Sequence, residues 1–201
     1  MTSGQNISRR PIFLVLSGPS GVGKDSVAKI LRILHPDLVF TVNVTSRPPR
    51  PYEIEGVDHH FVDETKFLEL VDSDALLEYA RVYGYWYGVP KKQVLDALGR
   101  GLDVIARVDI QGAATIKSNA PDAILVFLEP PSLGELERRL KGRRTESEDE
   151  LTIRLKVAGQ EMAESTWFDY VIVNDTDSSE QTARQIFDIL AREGTIPKRH
   201  F

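Results

Sequence analysis

The stretch IFLVLSGPSGVGKDS, residues 12–26, constrains the fold of this chain more than any other. Residues 12–16 are a short apolar run without alternation, the pattern of a strand buried on both faces of a parallel sheet. Glycines follow at 18, 21 and 23, and then Val27, Ile30, Leu31 and Leu34 recur at helical spacing until Pro36 stops the helix. Strand, Gly-rich turn and helix in that order build a phosphate cradle. The glycines let the backbone approach an anion closely, and the helix N-terminus behind them adds partial positive charge. Gly18, Gly23 and Lys24 fit the G-x-x-x-x-G-K spacing, in which the lysine reaches the β- and γ-oxygens of a triphosphate. The next residue is Asp25, where a hydroxyl is usual. A carboxylate is a good hard-oxygen ligand for Mg²⁺, so Asp25 is expected near the metal, directly or through water. The triphosphate-binding stretch is expected to comprise Gly18, Pro19, Ser20, Gly21, Val22, Gly23, Lys24, Asp25 and Ser26.

The rest of the chain alternates in the same way. VFTVNV at 39–44 reads as a strand, and 45–60 is rich in proline and glycine and has no period. Asp63 is placed to cap a helix over 64–72, and LLEYARVYGYWYGV at 76–89 reads as a hairpin about Gly84. A helix at 91–98, a strand at 103–110, a helix from about 112 and a strand at 123–128 follow. Ser132 with Glu135 and Ser147 with Glu150 are two capping boxes, opening helices at 133–141 and near 148–164. YVIV at 170–173 and a helix over 179–193 complete the series. Strands alternating with helices imply an α/β fold, a parallel central sheet covered on both faces. A small lobe at about 41–90 is inserted into a core of about 10–40, 91–140 and 165–195.

The net charge of −5 disfavours nucleic acid and anionic membranes as partners. The cations are nevertheless clustered: Arg138, Arg139, Lys141, Arg143 and Arg144 in one run, Arg47 and Arg50 beside prolines in another. Local basic clusters on an acidic chain suit a small anionic ligand. There is no cysteine, which excludes disulfides and thiolate chemistry. No apolar run approaches the roughly 20 residues of a membrane span, and MTSGQNISRR lacks a signal-peptide core. A soluble, cytoplasmic protein is expected.

At TSRPPR, GVDHHF, LLEYA with YWYGVP, VDIQGA and GRRTESEDEL the chain resembles guanylate kinases, in family order from about residue 10 to 195. The resemblance implies a three-layer P-loop NTPase fold in a single domain with a GMP-binding lobe and a small helical lid at about 141–163. It implies transfer of the ATP γ-phosphoryl group to GMP with Mg²⁺, and leaves use of dGMP and the oligomeric state open. Arg47 and Arg50 would hold the GMP phosphate, with Tyr87 donating to it; planar guanidinium forks suit phosphate. Glu78 aligns with the glutamate that reads guanine, since a carboxylate accepts from both N1–H and the 2-amino group. Asp109 would contact the same side. Arg143 and Arg154 align with lid arginines that close over the ATP phosphates, and Asn174 falls where the family places adenine. Lys24, Arg47, Arg143 and Arg154 are therefore the expected catalytic residues.

Several positions depart from the commonest pattern. Asn43 replaces a serine near the GMP phosphate, and His59 replaces a tyrosine that binds it; both retain a donor, the histidine best when protonated. Val89 replaces a hydroxyl residue near guanine. Arg107 replaces an aspartate two residues before Asp109, and its charge is expected to compensate Asp25, by pairing with it. Two other readings remain at this point. Kinases of ribose 1,5-bisphosphate share a GKDS-type loop but lack the proline-flanked arginine pair and need no guanine-reading carboxylate. Guanylate-kinase-like phosphopeptide-binding modules typically lose the loop lysine, which is present here.

Overall fold

The computed structural model describes residues 9–82, 84–142, 148–176 and 178–195, with the backbone alone for 148–150. Strand β1 (Phe13–Ser17) runs into the glycine turn and helix α1 (Lys24–Leu34), and the chain returns through β2 (Val39–Phe40). A second sheet then begins with β3 (Val44–Thr45) and β4 (His60–Phe61). Helix α2 (Glu64–Asp72) and the antiparallel pair β5 (Leu76–Val82) and β6 (Tyr85–Pro90) complete that unit. Helix α3 (Lys91–Gly99), β7 (Val104–Arg107), α4 (Ile110–Asn119), β8 (Ile124–Glu129) and α5 (Leu133–Lys141) resume the alternation. Helix α6 (Glu148–Ala163), β9 (Tyr170–Val173) and α7 (Ser179–Thr195) end it.

The five-stranded core sheet has the order β2-β7-β1-β8-β9, and every pairing is parallel. With β1 at the centre, the turn that follows it opens between the neighbouring strands, where ligands of such sheets bind. Alternate residues of β1 go to opposite layers. Leu14 and Leu16 pack with Val27 and Leu31 of α1 and Ile186 and Leu190 of α7. Phe13 and Val15 pack with Val94 of α3 and Ile116 of α4. Each such large side chain taken out of water contributes about 1.5–3 kcal/mol, which fixes the cradle on a rigid base.

Two expected strands are shorter than the sequence suggests. The run 39–44 is split: Val39–Phe40 pair with β7 in the core, whereas Val44–Thr45 pair with β4 and β6 in the second sheet. The apolar pattern continues across the crossover because the residues on either side of it are buried in different sheets. The run 103–110 stops at Arg107, since Asp109 accepts from Gly112 N at 2.8 Å and caps α4. Asp63 caps α2 through Lys66 N at 2.7 Å. Ser132 caps α5 as expected, but the Glu135 side chain does not return to close the box; it pairs with Arg138 and Arg139 instead. The second expected box, at Ser147 and Glu150, lies outside the residues whose side chains are described. Among the described residues no helix is long and apolar enough to cross a membrane.

Candidate active site

The glycine turn has the backbone a cradle needs. Gly18, Gly21 and Gly23 have φ of 137°, 89° and 107°, values that side chains other than glycine rarely adopt. A Cβ at Gly18 would lie 2.3 Å from Leu128 O, and one at Gly23 would lie 2.6 Å from Asn174 Nδ2, so the loop lies directly against β8 and the segment after β9. Lys24 folds its ammonium back over the loop, donating to Gly18 O and, at 3.3 Å, to Pro19 O. Burial pulls its pKa below the ordinary value against the opposing field of Glu161, Asp25 and Asp109. A lysine so placed binds most strongly when an anion replaces the loop carbonyls. Arg154 of α6 donates to Ser20 Oγ at 3.0 Å, which brings the helix to the cradle. Asp25, 74% exposed, accepts from Arg107 at 2.5 Å.

Across the cleft, the second sheet gathers a different set. Arg47 donates through Nε to Tyr87 Oη at 3.1 Å and through its two terminal nitrogens to both oxygens of Glu53, at 2.8 and 2.9 Å. Arg50 N donates to the same carboxylate at 2.8 Å. Burial of Glu53 raises its pKa, but the hydrogen bonds and charges of Arg47 and Arg50 outweigh that, and the net shift is downward. Because Tyr87 accepts from Arg47, its own O–H proton is left to point elsewhere. His59 packs edge-on against Tyr87, with ring centroids 6.0 Å apart, and its Nδ1 is buried with no partner among the described residues. Burial, and then the charges of Arg47 and Arg107, hold its pKa below the ordinary value, so the ring is neutral at pH 7. Glu78 is 4% exposed, and its Oε2 is likewise without a hydrogen-bond partner. Desolvation, reinforced by the Asp109 charge, pushes its pKa up to about 8. The carboxylate faces Gly112 of α4, where a Cβ would lie only 2.8 Å from Oε2.

A buried carboxyl with an unsatisfied oxygen, sharing the field of Asp109 with the lysine of a phosphate cradle, suits a base and its phosphates. Comparison with known proteins identifies the family. The guanylate kinase family model matches residues 8–193. The chain belongs to the guanylate kinase family. A guanylate kinase of Carboxydothermus hydrogenoformans is 40% identical over 188 residues, covering 94% of this chain and 91% of the relative. One of Synechococcus sp. (strain JA-3-3Ab) is 47% identical over 163 residues, covering 81% and 75%. The crystal structure of guanylate kinase from Anaplasma phagocytophilum superposes with a TM-score of 0.75 at 34% identity, covering 93% of this chain and 87% of that one. The fold is that of the P-loop NTPases, to which the guanylate kinases belong.

Several residues singled out by the guanylate kinase resemblance are held by partners within the chain. Asn174, expected beside adenine, is 1% exposed. Its amide donates to Val22 O at 2.8 Å and accepts from Thr182 Oγ1 at 2.9 Å, so it braces the phosphate loop from behind. Arg139 joins that brace, donating to Val22 O at 3.2 Å and Asn174 O at 3.0 Å. Asn43 is tied down as well, accepting from Thr41 Oγ1 at 2.9 Å and donating to Arg107 O at 2.7 Å. It links the crossover segment to the end of β7. Asp109 is committed through Oδ1 as the cap of α4. Val89 lies in the core at 0% exposure, packed with the α3 and α4 layer. Ser26 is exposed on α1. Arg143 lies outside the described residues. The Asp25–Arg107 pair expected from charge alone is present.

Sequence reading missed Glu53, Glu161 and Gly112. Glu161 of α6 stands within the electrostatic reach of Lys24 and Asp109, and burial followed by the Asp109 field raises its pKa while Lys24 opposes the rise. A carboxylate three residues after Arg50 was a usable signal for Glu53. Nothing local marks Glu161, which meets Lys24 only through the packing of α6.

Proposed function

We infer that this protein is a guanylate kinase, transferring the γ-phosphoryl group of ATP to GMP and releasing ADP and GDP. The observation that carries the base specificity is Glu78, a buried carboxyl with an unpartnered oxygen. Ionised, it accepts from both N1–H and the 2-amino group of guanine; adenine offers no such pair of donors. Ribose 1,5-bisphosphate would leave that group buried and unsatisfied, at a cost of about 1–3 kcal/mol.

Each group has work suited to its geometry. The loop amides and Lys24 hold the donor phosphates, and Arg154 closes over them beside Ser20. Arg50, Tyr87 and His59 receive the acceptor phosphate, with Arg47 fixed by Glu53 so that at most one of its five N–H donors is left to turn to the substrate. The acceptor is already an anionic oxygen, so no strong base is required; alignment and charge stabilisation supply the rate. The lobe at about 41–90 and the lid at about 141–163, which carries Arg143, close to exclude water.

A magnesium ion belongs to this proposal. Among the described residues no cluster of three or more candidate ligands exists. That fits an ion held mostly by substrate phosphates and water with one carboxylate nearby, and Asp25, exposed at the end of the loop, is that carboxylate. When bound, the ion neutralises charge on the β- and γ-oxygens. Action in the cytoplasm, where ATP and GMP are available, is part of the same reading. A coupled ADP-release assay with ATP and GMP, dGMP, AMP, UMP or ribose 1,5-bisphosphate tests it. Turnover with GMP at least a hundred times that with AMP supports it, and turnover with ribose 1,5-bisphosphate alone refutes it.

A further inference from the structure

Arg107 pairs with Asp25 but has so far been given no part in the reaction. It ends β7 opposite Leu16 of β1, beside the strand that delivers the phosphate loop. Its guanidinium donates to Asp25, the residue after the loop lysine. Its carbonyl accepts from Asn43, in the crossover to the second sheet. Its charge reaches both sides of the cleft, disfavouring the protonated forms of Lys24 on the donor side and of His59 on the acceptor side. The side chain is 16% exposed, so the charge is only partly screened.

We propose that Arg107 is a catalytic residue, contacting the phosphate oxygens where the donor γ-phosphoryl group meets the acceptor phosphate, and that Asp25 is its positioning residue. The proposal rests on the kinase reading above. In the transfer an oxygen of the acceptor phosphate forms a bond to the γ-phosphorus, and the bond from that phosphorus to the β–γ bridging oxygen breaks. The electron pair leaves with ADP. Arg107 neither gives nor takes a proton. It offsets the repulsion of two anionic groups brought together, as arginines do in phosphoryl transfer. An unrestrained arginine would lose rotamer freedom on adopting that place. The bond to Asp25 fixes it beforehand and uses one N–H of five. Asp25 is then one carboxylate with two neighbours, Arg107 and the metal bound with the nucleotide.

The test is a double-mutant cycle of Arg107→Met and Asp25→Asn, with Arg107→Lys as the conservative variant. Read out are kcat, both KM values, thermal stability and equilibrium binding of a bisubstrate analogue, adenosine and guanosine joined by five phosphates. Arg107→Met is expected to lower kcat by about 10²–10³-fold with KM values and melting temperature little changed. The lysine variant should recover part of that loss. Bisubstrate binding should weaken at least tenfold while ADP and GMP bind separately as before. Asp25→Asn should lower kcat in the wild type but not in the Arg107→Met background. A kcat within threefold of wild type for Arg107→Met, in folded protein, overturns the catalytic role. Independent, multiplicative effects overturn the positioning role of Asp25. Should Arg107→Met unfold, Arg107→Lys decides: a wild-type kcat and wild-type bisubstrate affinity together refute the proposal. Failure of the kinase reading itself would look different, because the wild type would then show no GMP-dependent release of ADP.

Discussion

Glu78 makes the sharpest prediction, because its protonation links substrate binding, pH and stability. Its pKa in the empty site is about 8. At pH 7 a group with that pKa is ionised in about one molecule in ten. A protonated carboxyl presents an O–H to guanine, which meets it with donors, so GMP selects the ionised form. Apparent GMP affinity should therefore rise about tenfold between pH 7 and pH 9, or about 1.4 kcal/mol, and binding at pH 7 should release about 0.9 proton from this group. Titration calorimetry of GMP in two buffers of different ionisation heat measures that number. Comparison with Glu78→Gln removes the phosphate's own ionisation, which is common to both proteins. The sign for stability follows from the same shift. The folded pKa lies above the unfolded one, so Glu78 favours the folded state fully below about pH 4.5. That contribution is lost as pH rises toward about 8. Glu78→Gln should thus raise the melting temperature at pH 8.5 by several degrees more than at pH 5, for a differential of a few kcal/mol. Equal proton release by wild type and variant, or a melting difference independent of pH, would refute the reasoning.

Three further perturbations test neighbouring contacts. Gly112→Ala places a Cβ 2.8 Å from Glu78 Oε2 and 3.0 Å from Val108 Cβ. It should raise the GMP KM by about 10–100-fold through a displaced acceptor, with ATP KM near wild type in steady-state assays. Asn174→Ala leaves the buried Thr182 hydroxyl without its acceptor and Val22 O with Arg139 alone; about 1–3 kcal/mol of stability should be lost in denaturant titrations, and the ATP KM should rise as the loop loosens. Tyr87→Phe removes the oxygen that accepts from Arg47 and the proton directed to the acceptor; it should raise GMP KM about 5–50-fold without changing ATP affinity measured by fluorescence titration.

What the sequence disclosed depended on whether the cause was local. The order of strands and helices was legible because period and caps are short-range: IFLVL announces a strand buried on both faces, and Asp63 and Ser132 announce helix starts. The split of 39–44 between two sheets was not legible, since both halves are apolar for different reasons. Among the candidate site residues, Lys24 stood out by its spacing in the glycine loop and Arg47 and Arg50 by their place beside prolines, whereas Glu78 was picked out by the resemblance to guanylate kinases. For Asn174, resemblance located a residue along the chain but not the direction of its side chain. Its amide is used up by Val22 and Thr182. His59 is a middle case. Its identity offered a donor that would be better when protonated, but burial and two arginines favour the neutral ring.

The carboxylates around the site, of which Glu53 and Glu161 escaped the sequence reading, share a property that bears on how the site works. Glu53 holds Arg47, Asp25 holds Arg107, Glu135 holds Arg139, and Glu161 stands in the field of Lys24. Arg47, Arg107 and Arg139 are each paired with a carboxylate, and Lys24 lies in the field of one, before any substrate arrives. A cleft of unpaired cations would repel itself, and each long side chain would sample many rotamers, so phosphate binding would have to supply the ordering. Carboxylate partners shift that ordering into folding and leave the guanidinium planes already aimed. The partners also set a limit: Arg47, nearly saturated by Glu53, Tyr87 and Pro48 O, has little left to offer directly. It follows that Glu53→Gln, which keeps the shape and halves the acceptors, should weaken GMP binding through a misaligned Arg47 rather than strengthen it by releasing a competing anion. A fall in the GMP KM of that variant, measured at constant ATP, would show that Glu53 competes with the substrate and that the pairing principle fails at this position.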